Sequence, residues 1–187
     1  RMPGGGGWDF ADGETDEGDG VKSWKKADEM AREMGRALAK DPEVRAQFLL
    51  ELLTAQPSMR APEFGNGIGE GADDLKVLWG ELLTAAKNPE TLIFSVIQLL
   101  SGFLVAARQR DEAFLDFALQ TVVNEPRLAG IMPRLQGWVG VDIKGISRVQ
   151  EAIRKGVVDA QDLRGLAVRG VREAPSDALA GLLEEIG

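Results

Sequence analysis

Glu51 with Glu81, and Asp111 with Glu112, are the residue pairs in this chain that could do acid–base chemistry. Two carboxyl groups act together when their surroundings split their pKa values, one holding a proton while the other gives it up. The rest of the catalytic repertoire is thin. There is no His, no Cys and no Tyr. Imidazole bases, thiolate nucleophiles, disulfides and His- or Cys-based metal sites are therefore excluded together. A helical carboxylate–metal site of the Glu-x-x-His type is excluded with them. The four acids also fit the solvated faces of amphipathic helices without any catalytic role. We therefore assign no catalytic, cofactor-binding or metal-binding residue, and an enzyme ranks last among the expected functions.

Two further stretches resemble ligand loops and fail on detail. Asp12-Gly-Glu14-Thr-Asp16-Glu-Gly18-Asp19 has the acid spacing of a calcium loop. Glu17 stands where that loop needs its glycine, and Ser23 where it needs its bidentate glutamate. Glu63 to Ala72 carries Gly at 65, 67, 69 and 71. A phosphate loop would require a preceding strand and a closing Gly-Lys-Ser/Thr, and neither is present. Glycine at alternate positions reads instead as a flexible linker.

The net charge of −8 argues against a phosphate-tracking surface, because nucleic-acid affinity rests on clustered Lys and Arg. The elements that must position any site read as helices throughout. Ser23–Lys40 repeats Trp24, Ala27, Met30, Ala31, Met34, Ala37 and Leu38 at helical spacing, with Ser23 as its N-cap. Asp41-Pro42-Glu43 opens a second helix, Asp73 a third, and Asp111 a helix that carries Phe114 to Val123. Ser147, Asp159 and Ser176 open three small C-terminal helices. Ala39-Lys40-Asp41-Pro42-Glu43 returns as Ala86-Lys87-Asn88-Pro89-Glu90, an offset of 47 residues that suggests a paired-helix repeat. Asn124-Glu125-Pro126 is a degenerate third copy. Asp41–Ala46 resembles the turn of a HEAT-type helical repeat over that one turn, through residues that any helix start favours.

Asn88 and Pro89 are expected to start the central helix, and residues 91–107 carry no charge. As a helix they would cover about 26 Å, at the short limit for a bilayer core. Gly102-x-x-x-Ala106 and the Arg108/Arg110 pair would suit a membrane span, whereas Gln98 and the missing aromatic belt oppose it. A buried helix is the expectation and a short span the alternative. A break at Arg108–Asp111 is expected, with one continuous helix over 89–123 as the alternative.

The expected fold is all-α, a multi-helix bundle or irregular paired-helix array of roughly seven to nine helices with an acidic Gly-rich tail. The expected divisions are a tail over 1–20, a helical hairpin over 21–60, a linker over 61–72, a core over 73–140, and small helices over 141–187. Residues 1–20 are too rich in Gly and acid to order alone. They are expected to lie extended on another chain with Trp8 and Phe10 in its pockets; Trp24 and Trp138 are further expected partner-binding residues. The expected function is a non-catalytic interaction or assembly subunit of a larger complex, a linker or scaffold, whose partners are other protein subunits. The alternative is a small membrane-associated subunit with a spanning helix at 91–107. A first residue that is not Met would suit a processed protein of an organelle, for instance a plastid photosynthetic complex, or a trimmed chain.

Overall fold

The structure is a computed structural model and describes residues 17–158, 162–163, 166 and 176–186. Among them are α-helices only, apart from one 3-10 turn at Ala129–Ile131. The helices are α1 (Glu17–Lys40), α2 (Pro42–Thr54), α3 (Ala61–Gly71), α4 (Leu75–Ala86) and α5 (Ile93–Arg110). They continue with α6 (Glu112–Asn124), α7 (Met132–Val139), α8 (Ile143–Arg154) and α9 (Ser176–Ile186). Together they form a helical bundle around α5.

The starts of several helices follow from their caps. The Asp41 carboxylate accepts from Val44 N at 3.1 Å, and Asp111 from Phe114 N at 2.9 Å. Asp111 also ends α5 in extended backbone, so the chain breaks there and 89–123 is not one helix. Three expected starts are corrected. Asp74, not Asp73, caps α4 by accepting from Lys76 N and Val77 N; Asp73 pairs with Lys40 instead. Asp142 caps α8, which leaves Ser147 inside the helix with its hydroxyl donating to Ile143 O. α1 begins at Glu17, ahead of Ser23, so the end of the acidic run is helical. Residues 1–16 of the expected tail over 1–20, and the helix start at Asp159, lie outside the described residues.

Both Asx-Pro junctions join two helices, but with different geometry. Asp41-Pro42 opens α2, but Asn88-Pro89 sits in a turn where Asn88 Oδ1 accepts from Glu90 N. The Thr91 hydroxyl donates to Ala86 O at the end of α4, and α5 starts only at Ile93.

The largest correction concerns residues 61–72. They are not a linker but α3, laid parallel between α1 and α5. Its glycines alternate between two faces. A Cβ on Gly67 would stand 2.0 Å from Arg32 O, and one on Gly71 2.8 Å from Arg36 O. On the other face a Cβ on Gly65 would stand 2.1 Å from Leu99 O, and one on Gly69 2.9 Å from Phe103 O. Gly35 of α1 and Gly102 of α5 answer them, with Phe64 O at 2.1 Å and Pro62 O at 1.8 Å from their own would-be Cβ positions. Glycine is a poor helix former, so α3 is helical because its bare backbone lets three helices touch. Arg32–Glu63 at 2.6 Å and Arg36–Glu70 at 2.7 Å pin its α1 side. Arg110 Nη1 donates to Gly69 O at 2.5 Å, capping the C-terminal end of α3.

α5 is buried nearly all round by this chain: Val96, Leu99, Leu100, Phe103, Leu104 and Ala107 have no measurable exposure. No helix among the described residues is long and apolar enough to cross a membrane, which does not support the expected alternative of a span at 91–107. The uncharged stretch satisfies its own neighbours. Trp79 stacks on Phe103 at 5.7 Å while its Nε1 donates to Thr121 Oγ1 at 2.8 Å. Phe103 meets Phe114 edge-on at 6.2 Å, which ties α4, α5 and α6 together.

α8 is clasped to α6 by a polar row. Asp116 accepts from Lys144 and from the buried Arg148, and Glu151 accepts from Gln120 at 3.1 Å. Lys155 donates to Val123 O at 2.9 Å. Burial alone pushes the Asp116 carboxyl up, but the hydrogen bonds from Lys144 and Arg148 outweigh it and the net direction is down. Glu151 is also held below its usual range, first by Lys155 and then by Gln120. Depressed carboxyl values stabilise the fold above the unfolded-state values near 4, and that contribution is lost as acid protonates the folded groups. The urea midpoint is expected to stay level from neutrality to about pH 5 and to fall below about pH 4. Asp116→Asn should lower the midpoint at pH 7 and flatten the acid limb; an unchanged slope would show that Asp116 carries none of it.

Candidate interaction surface

The expected acid pairs are not assembled. Glu81 is held by Arg45, which donates to its two oxygens at 2.5 and 2.9 Å, and Glu51 is exposed on α2. Asp111 is occupied as a helix cap beside Glu112. Among the described residues no group of three or more His, Cys, Asp or Glu is placed to hold a metal ion. Of the four expected partner-binding residues, Trp8 and Phe10 lie outside the described residues. Trp24 is exposed on α1 with the Arg60 guanidinium 5.2 Å from its ring centre, and Trp138 is half-buried on α7.

What the fold does assemble is an apolar trough on either side of α2. α2 carries more apolar side chains than one buried face can use: Leu49 and Leu53 are buried, Phe48, Leu50 and Leu52 half-buried, and Val44 exposed. Between α1 and α2 lies a cavity of about 320 Å³, bounded by Met34, Leu38, Val44, Phe48 and Phe64. Between α2 and α4 lies a larger one, about 590 Å³.

The larger groove is built by two helices that run side by side in the same direction. Lys40 meets Asp73 just ahead of both helices, Arg45 in the first turn of α2 meets Glu81 in the middle of α4, and Leu92 N, beyond α4, donates to Leu53 O in the last turn of α2 at 2.9 Å. Ala46, Leu49 and Leu50 form one wall, with Val77, Gly80, Thr84 and Ala85 forming the other. The Arg45–Glu81 pair is set between the walls. Arg45 is buried, donates also to Ala39 O at 2.6 Å, and has its pKa raised by the hydrogen bond to Glu81, so it stays charged. It locks the spacing of α2 and α4.

The outward face of α4 carries an uncharged strip flanked by Lys76, Glu81 and Lys87. Val77 is 57% exposed, and Gly80 and Thr84 are exposed beyond it, with no charged side chain among the three. The sequence contained this signal in the spacing Val77-x-x-Gly80-x-x-x-Thr84, and periodicity read only for its apolar half passes over it. Compared with protein-family models, with curated proteins and with solved structures, the chain matches none.

Proposed function

We propose that this protein is a helical interaction and assembly subunit that receives a protein partner across the groove between α2 and α4. The observation that carries this reading is an open trough of about 590 Å³ with apolar walls, spanned by the ion pair of buried Arg45 with part-exposed Glu81. Grooves of this kind take a partner's side chains as anchors and keep the walls rigid. Trp8 and Phe10 would add anchors to the same assembly from the N-terminal end of the chain.

The test is the mass of the native particle. The tagged chain, expressed in its own host and gently crosslinked, is run through size exclusion with light scattering. A particle well above the monomer mass that contains a second protein in fixed ratio is expected. A free monomer under those conditions would overturn the reading.

A further inference from the structure

We propose that the occupant of the α2–α4 groove is an amphipathic helix with a basic edge, seated against Gly80. The inference rests on the assembly reading above and names the chemistry of the partner. Three observations lead to it.

The first is Gly80 itself. Gly35, Gly65, Gly67, Gly69, Gly71 and Gly102 each lie where another helix backbone leaves no room for a side chain. Gly80 sits in the middle of α4, and a Cβ there would meet nothing within 4 Å. A mid-helix glycine that its own fold does not require is a cost in helix stability without an internal return. At those six positions glycine marks a place where helices touch, and at Gly80 the place of the second helix is empty.

The second is shape. The groove walls are parallel helices, and α4 is 12 residues long, so the trough runs for about 18 Å, or three helical turns. Ala46, Gly80 and Ala85 keep its walls low enough for a helix axis to come close. No strand edge exists among the described residues to receive an extended peptide by backbone pairing.

The third is charge. The bases of this face are already engaged: Arg45 with Glu81, Lys87 with Glu125 at 3.7 Å, and Lys76 over the Phe117 ring. Arg127 donates to Pro89 O at 3.1 Å, and Glu43 and Glu90, close in sequence to the lining residues Pro42 and Asn88, are exposed and in no ion pair among the described residues. A partner with Lys or Arg flanking its apolar seam satisfies them. A second copy of this chain would bring the same carboxylates against each other across a two-fold contact.

The probe is a synthetic peptide of about 14 residues, long enough for the trough, with Leu and Ala on one helical face and Lys on the flanks. Its twin has Glu for every Lys. Both are titrated into the isotopically labelled full chain and followed by amide shifts. The Lys peptide is expected to move resonances of Ala46, Gly80, Thr84 and Ala85, and the Glu twin to bind at least about tenfold more weakly. Gly80→Phe should weaken the Lys peptide about tenfold or more with unchanged circular dichroism. Glu43→Lys combined with Glu90→Lys, both on the surface, should reduce the preference for Lys over Glu.

No binding of the Lys peptide at millimolar concentration, shifts confined to other surfaces, or equal binding of the twin would overturn the proposal. So would self-association of the chain that Gly80→Phe abolishes, since the occupant would then be a second copy. If the native particle is a complex that retains the Gly80→Phe chain, the groove assignment fails, and of the proposed function only assembly with a partner at another surface stands. If the native particle is a monomer, the assembly reading fails first.

Discussion

Gly102→Ala should unfold this protein or lower its stability by roughly 3 kcal/mol or more, although alanine is the better helix former. The new methyl would be placed 1.8 Å from Pro62 O and 2.8 Å from Asn66 N, so α5 and α3 would have to separate. Separation would not stay local. α3 is held between α1 and α5 by glycine on both faces, and Phe103 next to Gly102 leads the aromatic row to Trp79 and Phe114. A loss of that size is a large part of the 5–15 kcal/mol that stabilises an ordinary domain. Gly67→Ala, 2.0 Å from Arg32 O, should behave the same way from the α1 side. Gly80→Ala is the control and should gain about 0.5–1 kcal/mol, because the methyl enters open space and the helix loses its glycine. Urea denaturation of the three variants checks the prediction through its ordering. A mild effect at Gly102 with a loss at Gly80 would mean that the helices do not meet as described.

Glu81→Ala should cost about 2–3 kcal/mol and widen the α2–α4 groove. Arg45 would keep its bond to Ala39 O but lose both carboxylate oxygens while remaining buried. A buried guanidinium without its counter-ion is the expensive half of a broken ion pair. Glu81 itself is about a third exposed, which places the expected loss below the range for a fully buried pair. Arg45→Met with Glu81→Leu should recover most of the loss, since paired apolar replacements of similar volume are tolerated. Thermal denaturation of the single and double variants is the measurement. A double variant no better than Glu81→Ala would show that the pair contributes through geometry that apolar packing cannot replace.

Much of the helical order was legible along the chain. Asp41 and Asp111 cap the helices that their spacing announced, and the apolar repeats of α4 and α6 include their buried faces, with Phe117 left exposed, because capping and amphipathic periodicity are local. Local identity was not always enough. Asn88-Pro89 has the chemistry of Asp41-Pro42 and forms a turn, since the Thr91 hydroxyl two residues on closes over the end of α4. The apolar excess of α2 was present in the sequence as well, but nothing along the chain said which of its sides the other helices would cover.

The sequence by itself determined an all-helical chain, its main caps, a central helix too apolar to face water, and the lack of His, Cys and Tyr chemistry. Only the tertiary structure decided that residues 61–71 are a helix and that Gly80, unlike the glycines of α3, is exposed with nothing within 4 Å of a would-be Cβ. The reason is that a glycine's meaning lies outside itself. Taken alone, each one weakens a helix by about 1 kcal/mol and favours a loop. Between α1 and α5 the missing side chains let backbones meet, and that contact, invisible to any local pattern, reverses the preference.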